Sequence, residues 1–287
     1  MTMHKPFLFF GTPYVARDTL ALLVARGFVP RAVVTSPDAP KGRGLTLTPC
    51  ETKAWALERD LSVLTPSTLD AEAIEELRSY GCAYAVVVAY GKILPQALID
   101  AFPQGVINIH YSLLPKYRGA SPVEAALLNG DPVTGVAIQQ MAFKLDAGDL
   151  LATREVAIDS NETTRELRPR LVQIGAELLA DMLPAFEAGD IEAVPQDEAL
   201  ATFSGKIRKE DGKLSLHGNA KTNWNTYRAY AESPGTHFYM EKDGKTMRVK
   251  IVSAFYDGSS FVPERVVPEG KKETDYEELG RAGWNAL

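Results

Sequence analysis

Residues 84–89 read Tyr84-Ala85-Val86-Val87-Val88-Ala89, an almost uninterrupted run of apolar side chains rich in valine. Such a run is typical of a strand that is covered on both faces, as a central strand of a parallel sheet is. Further short apolar runs follow the same pattern and are expected to form strands: residues 7–10, 31–35, 62–64, 106–110, 133–141 and 150–158.

Amphipathic stretches lie between several of these runs, for example at residues 15–26 and 69–80. The alternation of strand and helix patterns predicts an α/β fold with a largely parallel sheet and helices on both faces. A long helix is predicted over residues 163–188, because Thr163 and Glu166 have the spacing of a capping box. Pro169 should kink this helix or delay its start, since proline lacks the backbone N–H.

The last third of the chain has a different pattern. Residues 186–201 are polar and contain Gly and Pro, as linkers do. Beyond them, Asp243-Gly244 between alternating runs predicts a hairpin, and one helix is expected near residues 219–231. We therefore predict three parts, a catalytic domain over residues 1–187, a linker over 188–204 and a small β domain, barrel-like, over 205–287.

Composition limits the possible classes of protein. The net charge is −6, so the whole chain is not a basic nucleic-acid coat, although residues 204–287 hold 14 Lys+Arg against 12 Asp+Glu. The two cysteines and four histidines have no disulfide or metal-ligand spacing, so we expect no metal and a reducing cytoplasm. No run approaches the roughly 20 apolar residues of a membrane helix, so no membrane partner is expected.

Candidate catalytic residues follow the strand predicted at residues 106–110. Asn108 and His110 are two apart and therefore point to the same face of that strand. An amide that donates hydrogen bonds and an imidazole that moves protons suit the transfer of a carbonyl group. Asp146 follows His110 by 36 residues, enough for a strand–helix–strand passage that brings the two together. Asp149, on the same predicted loop, competes with Asp146 for this role, and spacing alone does not separate them.

The motifs around these residues carry a family resemblance. Asn-x-His-x-Ser-Leu-Leu-Pro-x-x-Arg-Gly at residues 108–119, followed by Leu-Asp-x-Gly-Asp at 145–149, resembles the signature of the 10-formyltetrahydrofolate-dependent formyltransferases. The resemblance implies a Rossmann-like catalytic domain and catalytic roles for Asn108, His110 and Asp146. It also implies 10-formyltetrahydrofolate as the formyl donor.

Further segments resemble the branch of the family that formylates methionine on initiator tRNA. They are Phe9-Phe10-Gly11-Thr12-Pro13, the loop at residues 35–49 and the stretch at 87–95. The branch implies a monomeric cytoplasmic enzyme whose second domain resembles an OB barrel and contacts tRNA. It implies folate binding by Ala89, Tyr90, Gly91, Ile93, Leu94, Ser112, Leu113, Leu114, Pro115 and Leu145. Lys41 and Arg43, placed between glycines, would contact tRNA phosphates.

Two alternatives stay open. A sugar-nucleotide N-formyltransferase would use the same donor and fits the bulky Tyr111 beside His110, but it does not account for the loop at residues 41–49. A non-catalytic relative that binds RNA or folate would not need all three candidate catalytic residues. A nicotinamide-dependent dehydrogenase is favoured less than either alternative, because no G-x-G-x-x-G motif follows the first predicted strand.

Overall fold

The computed structural model describes residues 4–41 and 44–287. Its strands are β1 Phe7–Gly11, β2 Ala32–Val34, β3 Ala39–Lys41, β4 Thr46–Thr48, β5 Val63–Leu64, β6 Tyr84–Val88, β7 Val106–His110, β8 Arg118–Gly119, β9 Val133–Gln140, β10 Leu150–Ala157, β11 Phe203–Ser204, β12 His237–Lys242, β13 Lys245–Tyr256, β14 Phe261–Pro268, β15 Thr274–Asp275 and β16 Asn285–Ala286. Its α-helices are α1 Tyr14–Ala25, α2 Glu51–Leu57, α3 Ala71–Ser79, α4 Gln96–Ile99, α5 Pro122–Asn129, α6 Thr164–Ala188, α7 Ala220–Ala229 and α8 Tyr276–Arg281. Short 3₁₀ helices occur at Glu198–Leu200 and Lys209–Gly212.

The main sheet has seven strands in the order β10-β9-β7-β6-β1-β2-β5. β7, β6, β1, β2 and β5 pair in parallel, whereas β9 pairs antiparallel with β7. All seven strands expected from the apolar runs are present, so the predicted α/β fold with a mostly parallel sheet is confirmed.

The central strands are buried because helices cover both faces of the sheet. Every residue of β6 is buried. On one face Leu8, Val87 and Val106 share a core cluster with side chains of α3 and α4. On the other face Gly175 of α6 lies against Ile109 and Val136, where a Cβ would come within 3.1 Å of either side chain. Helices on both faces were expected and are confirmed.

Helix α6 begins at Thr164, next to the predicted start. Glu166 accepts hydrogen bonds from the backbone N–H and the hydroxyl of Thr163, at 2.8 and 2.9 Å, which is the glutamate half of the predicted capping box. The Glu166 backbone N–H donates to the carbonyl oxygen of Thr163 rather than to its hydroxyl. The helix runs continuously through Pro169, so the later start that this proline suggested is not observed. A proline removes one backbone N–H from the hydrogen-bond pattern of a helix, and α6 continues despite that loss.

The C-terminal part contains a five-stranded sheet in the order β15-β14-β13-β12-β16, all antiparallel. Asp243 and Gly244 join β12 to β13 with φ values of 51° and 71°, as a type I′ turn requires. The predicted hairpin is therefore confirmed. The inner face of the sheet packs against α7 through a cluster that includes Trp224, Phe238 and Val249.

By contacts the chain divides into two compact units. Unit 1 comprises Met1–Arg118, Gly135–Val156 and Pro169–Phe203, and unit 2 comprises Gly119–Thr134, Ala157–Arg168 and Ser204–Leu287. The predicted limits of domain and linker stay a prediction. Across the described residues, none of the helices is long and apolar enough to cross a bilayer.

Candidate active site

Asn108 and His110 lie on one face of β7, as their spacing predicts. The register of β7 with β9 places Gln139 directly opposite Asn108. The amide Nδ2 of Asn108 donates to the carbonyl oxygen of Val87 at 3.0 Å, and its Oδ1 accepts from Gln139 Nε2 at 3.3 Å. Hydrogen bonds to both its nitrogen and its oxygen therefore fix the orientation of the Asn108 amide.

His110 is buried at the end of β7. Its Nε2 lies 2.9 Å from the carbonyl oxygen of Tyr117, and since a carbonyl only accepts, Nε2 carries the proton. In the neutral ring Nδ1 is therefore the basic nitrogen, and it lies 3.7 Å from Asp146 Oδ2. Burial lowers the pKa of His110, while the Asp146 carboxylate and the Tyr117 carbonyl act in the opposite direction.

The loop after β9 brings Asp146, rather than Asp149, to His110. Asp146 has a φ of 45°, in the left-handed region, and its Oδ1 accepts from Gln139 Nε2 at 2.9 Å. Asp149 is exposed, and its backbone oxygen accepts from the N–H of Gln140 at 2.9 Å. Because β9 runs antiparallel to β7, Asp146 reaches His110 from a loop that folds back, not from a neighbouring strand end.

Gln139 connects Asn108 to Asp146 by hydrogen bonds. It is almost fully buried, and its single Nε2 atom donates to both Asn108 and Asp146. The sequence interpretation missed this residue. The available signal was a glutamine at the end of a run expected to be a buried strand, because a buried amide requires partners.

Gln196 was also missed, and it lies in the segment predicted as a linker. Its Nε2 donates to the carbonyl oxygens of Asp146 at 2.9 Å and Gly148 at 2.7 Å. Its Oε1 accepts two hydrogen bonds from Arg118, at 3.1 and 2.8 Å. The sequence carries no local signal for these contacts, since the partners lie 48 to 78 residues away along the chain.

The residues assigned to folate by resemblance all lie in unit 1 and form two groups. Accessible positions are Ala89, Gly91, Ile93 and Leu145, with Ile93 86% and Leu145 60% exposed. Buried or half-buried positions are Tyr90, Leu94, Ser112, Leu113, Leu114 and Pro115. Exposed apolar side chains of this kind leave surface that a planar apolar ligand would cover.

Tyr90 is a packing residue, because its ring meets Phe10 edge-to-face at 5.4 Å and burial raises the pKa of its hydroxyl to about 12. Ala89 and Gly91 on either side have φ values of 46° and 82°. The backbone therefore turns sharply just after the carboxyl end of β6, and Ala89 and Gly91 are exposed to solvent.

The loop assigned to tRNA is a two-stranded antiparallel ribbon of β3 and β4, in which Lys41 pairs with Thr46. Lys41 is exposed, and its Nζ donates to Glu51 Oε1 at 2.9 Å, a contact that raises the pKa of the lysine. Arg43 lies outside the described residues.

Tyr111 points away from the candidate site. The side chain is buried, and the Cβ of an alanine at position 175 in α6 would lie 3.4 Å from its ring. Because successive residues of a strand face opposite ways, Tyr111 packs under α6 while His110 faces Asp146. The bulk of this ring thus does not narrow the space in front of His110.

Comparisons with known proteins identify the family of this chain. A family model described as formyl transferase matches residues 7–183, which include Asn108, His110 and Asp146. The methionyl-tRNA formyltransferase of Nitratidesulfovibrio vulgaris is 40% identical over 247 residues, or 85% of this chain and 75% of the relative. That of Geobacter sulfurreducens is 38% identical over 266 residues, or 92% of this chain and 83% of the relative.

Among solved structures, an N-formyltransferase from Helicobacter canadensis in complex with folinic acid and dTDP-3-aminofucose is similar in fold. The TM-score is 0.64 at 18% identity, over 91% of this chain and 99% of that chain. At that identity the likeness concerns the fold alone.

Proposed function

We propose a specific reaction for this chain, which belongs to the formyl transferase family: transfer of the formyl group of 10-formyltetrahydrofolate to the amino group of methionine on initiator tRNA. The observation that carries the chemistry is the convergence of Asn108, His110 and Asp146 within one compact unit. The acceptor is supported by relatives named methionyl-tRNA formyltransferase that match most of the chain.

The reaction forms a bond between the amino nitrogen and the formyl carbon, and it breaks the bond from that carbon to N10 of tetrahydrofolate. One proton moves from the amine to N10. A tetrahedral intermediate carries negative charge on the formyl oxygen and positive charge on the attacking nitrogen. The site therefore needs a hydrogen-bond donor for the oxygen and a base for the proton.

Asn108 supplies the donor. Its Oδ1 accepts from Gln139, and one of the two Nδ2 protons is donated to the carbonyl oxygen of Val87, which leaves the second Nδ2 proton for a ligand. The second proton donates to the formyl oxygen. A single donor of this kind is worth about 10²- to 10³-fold in rate.

His110 supplies the base. Burial keeps its pKa low, so the ring is neutral near pH 7 and Nδ1 can accept the amine proton. Asp146, 3.7 Å from that atom, stabilises the imidazolium that results. Protonated His110 then returns the proton to the leaving nitrogen, which completes the transfer without a metal ion.

Folate binding rests on the accessible positions near this cluster. Ile93 and Leu145 present apolar surface for the pterin, and the exposed backbone at Ala89 and Gly91 offers polar groups for its edge. Tyr90, Leu94 and Leu114 act through packing.

Transfer RNA is proposed to meet the ribbon at residues 39–48, through Lys41 and Arg43, and the C-terminal sheet, which we interpret as OB-like. The cations neutralise phosphates, while the methionyl group enters the site. Because initiator tRNA is charged and used in the cytoplasm, we place the enzyme there, and we expect a monomer.

The test is formyl transfer from 10-formyltetrahydrofolate, offered in parallel to methionine-charged initiator tRNA and to amino-sugar nucleotides. Transfer to the tRNA alone is expected. Transfer to a sugar nucleotide alone would keep the donor and the catalytic residues and overturn the acceptor. No transfer to either would overturn the enzymatic assignment.

A further inference from the structure

Gln196 holds the backbone on both sides of Ala147. Its Nε2 donates to the carbonyl oxygen of Asp146 at 2.9 Å and to that of Gly148 at 2.7 Å. An amide nitrogen has two protons, so these two contacts use both of its strong donors. The loop that carries the Asp146 carboxylate is thereby fixed from outside the sheet.

Arg118 determines which way the Gln196 amide faces. The guanidinium is fully buried and donates to Gln196 Oε1 through both Nε and Nη2. Since arginine can only donate, the atom facing it must be the amide oxygen, and the nitrogen must face the loop. Arg118 is itself held by Glu198 at 2.9 Å, whose pKa the Arg118 and Lys144 contacts lower to about 2.

The loop needs such a restraint for two reasons. Asp146 has a left-handed φ of 45°, which is uncommon for a residue other than glycine and persists where the surroundings impose it. The contact between Asp146 and His110 is also loose, because His110 Nδ1 and Asp146 Oδ2 are 3.7 Å apart, beyond hydrogen-bond distance. A small movement of the loop would therefore change the electrostatic environment of His110.

We propose that Gln196, oriented by Arg118, is a positioning residue that sets the placement of the Asp146 carboxylate beside His110. Gln196 touches neither the imidazole nor the carboxylate. It acts through the backbone of residues 146–148, and its Nε2 also lies 3.5 Å from Oε1 of Gln139, the residue that donates to the Asp146 carboxylate. The kinetic part of this proposal rests on the proposed function, whereas the effect on His110 does not.

The substitution Gln196→Met keeps the length of the side chain and removes its hydrogen bonds. When the carboxylate drifts away, His110 loses the group that raises its pKa, and burial then lowers the pKa further. We expect the imidazole to titrate at lower pH than in the wild type. We also expect kcat for formyl transfer to fall by about 10²-fold, as for a misplacement of about 1 Å.

The first measurement is an NMR titration of the protein labelled with ¹⁵N-histidine. The chain has four histidines, so few signals have to be assigned. The His110 signal is assigned as the one missing in His110→Asn. The matched control is Gln173→Met, which removes an exposed side-chain hydrogen bond to Glu177 on α6 and should leave both the His110 titration and kcat unchanged.

A lower pKa of His110 in Gln196→Met but not in Gln173→Met supports the proposal. An unchanged pKa in a folded Gln196→Met protein overturns it, and so does a fall in kcat with an unchanged pKa. If that variant does not fold, Gln196→Asn takes its place, because it keeps a neutral amide whose oxygen can accept from Arg118 but is one methylene shorter and cannot also hold the two loop carbonyls. Absence of tRNA formylation in the wild type would refute the proposed function and leave the titration valid.

Discussion

Replacing Gly148 by alanine tests whether the Asp146 loop must lie where the structure has it. An added Cβ would be 1.6 Å from the backbone oxygen of Gln140 and 2.8 Å from its carbonyl carbon. Gln140 cannot yield easily, because it is the β9 residue paired with Ile107 in the main sheet. The loop must therefore retreat by about 1.4 Å to restore the 3.0 Å below which Cβ contacts essentially never occur.

A retreat of that size carries Asp146, two residues earlier, away from His110. It also breaks the hydrogen bond from Gln196 to the Gly148 carbonyl, which is 2.7 Å long. We expect kcat/KM to fall by about 10²-fold, the usual effect of a misplacement of about 1 Å. The overpacking should also lower the free energy of unfolding by about 1–3 kcal/mol.

The assay is formylation of methionine-charged initiator tRNA, with thermal unfolding of the same preparation. Gly205→Ala is the matched control, because its Cβ would meet nothing within 4 Å and its φ is not in the left-handed region. Wild-type kcat/KM and a wild-type melting midpoint for Gly148→Ala would refute the steric argument. Equal losses in both variants would refute it as well.

Three more outcomes are expected from the same site and from the loop at residues 35–49 that we propose to bind tRNA. His110→Ala should lose about 10²- to 10⁴-fold in kcat while its far-UV circular dichroism stays wild-type, and near-normal turnover would remove His110 from the mechanism. In Asp146→Asn the group that raises the pKa of His110 is gone, so the acidic limb of the kcat/KM profile should move to lower pH; a move to higher pH would contradict the assigned sign. Arg43→Ala should reduce the slope of log affinity for tRNA against log salt by about 1 and leave folate binding unchanged, whereas Arg59→Ala, whose guanidinium stacks on Trp55 at 4.1 Å, should change neither. An equal loss of tRNA and folate binding in Arg43→Ala would assign that residue a structural role.

Most of the fold could be predicted because its signals are local. A buried parallel strand must be apolar along its whole length, so the runs at β1, β6 and β7 are visible in the sequence itself. The Asp243-Gly244 turn and the Thr163–Glu166 cap were predictable for the same reason, since each depends on residues only a few positions apart.

The site was only partly predictable. The period of a strand places Asn108 and His110 on one face, and the motif around them suggested Asp146. Spacing did not separate Asp146 from Asp149, because that choice depends on how the loop folds back over an antiparallel β9. The bulk of Tyr111 fitted the alternative of a sugar-nucleotide acceptor, but the ring packs against α6, away from the face that carries His110.

The sequence by itself determined the strands, the turns and the side chains able to do chemistry, because periodicity and turn preference act over a few residues. Only the tertiary structure decided what orients those side chains. Gln139 meets Asn108 through the register of two strands, and Gln196 reaches Asp146 across 50 residues of chain. Such contacts depend on how distant segments pack against each other, and the local residue pattern of neither segment predicts that packing.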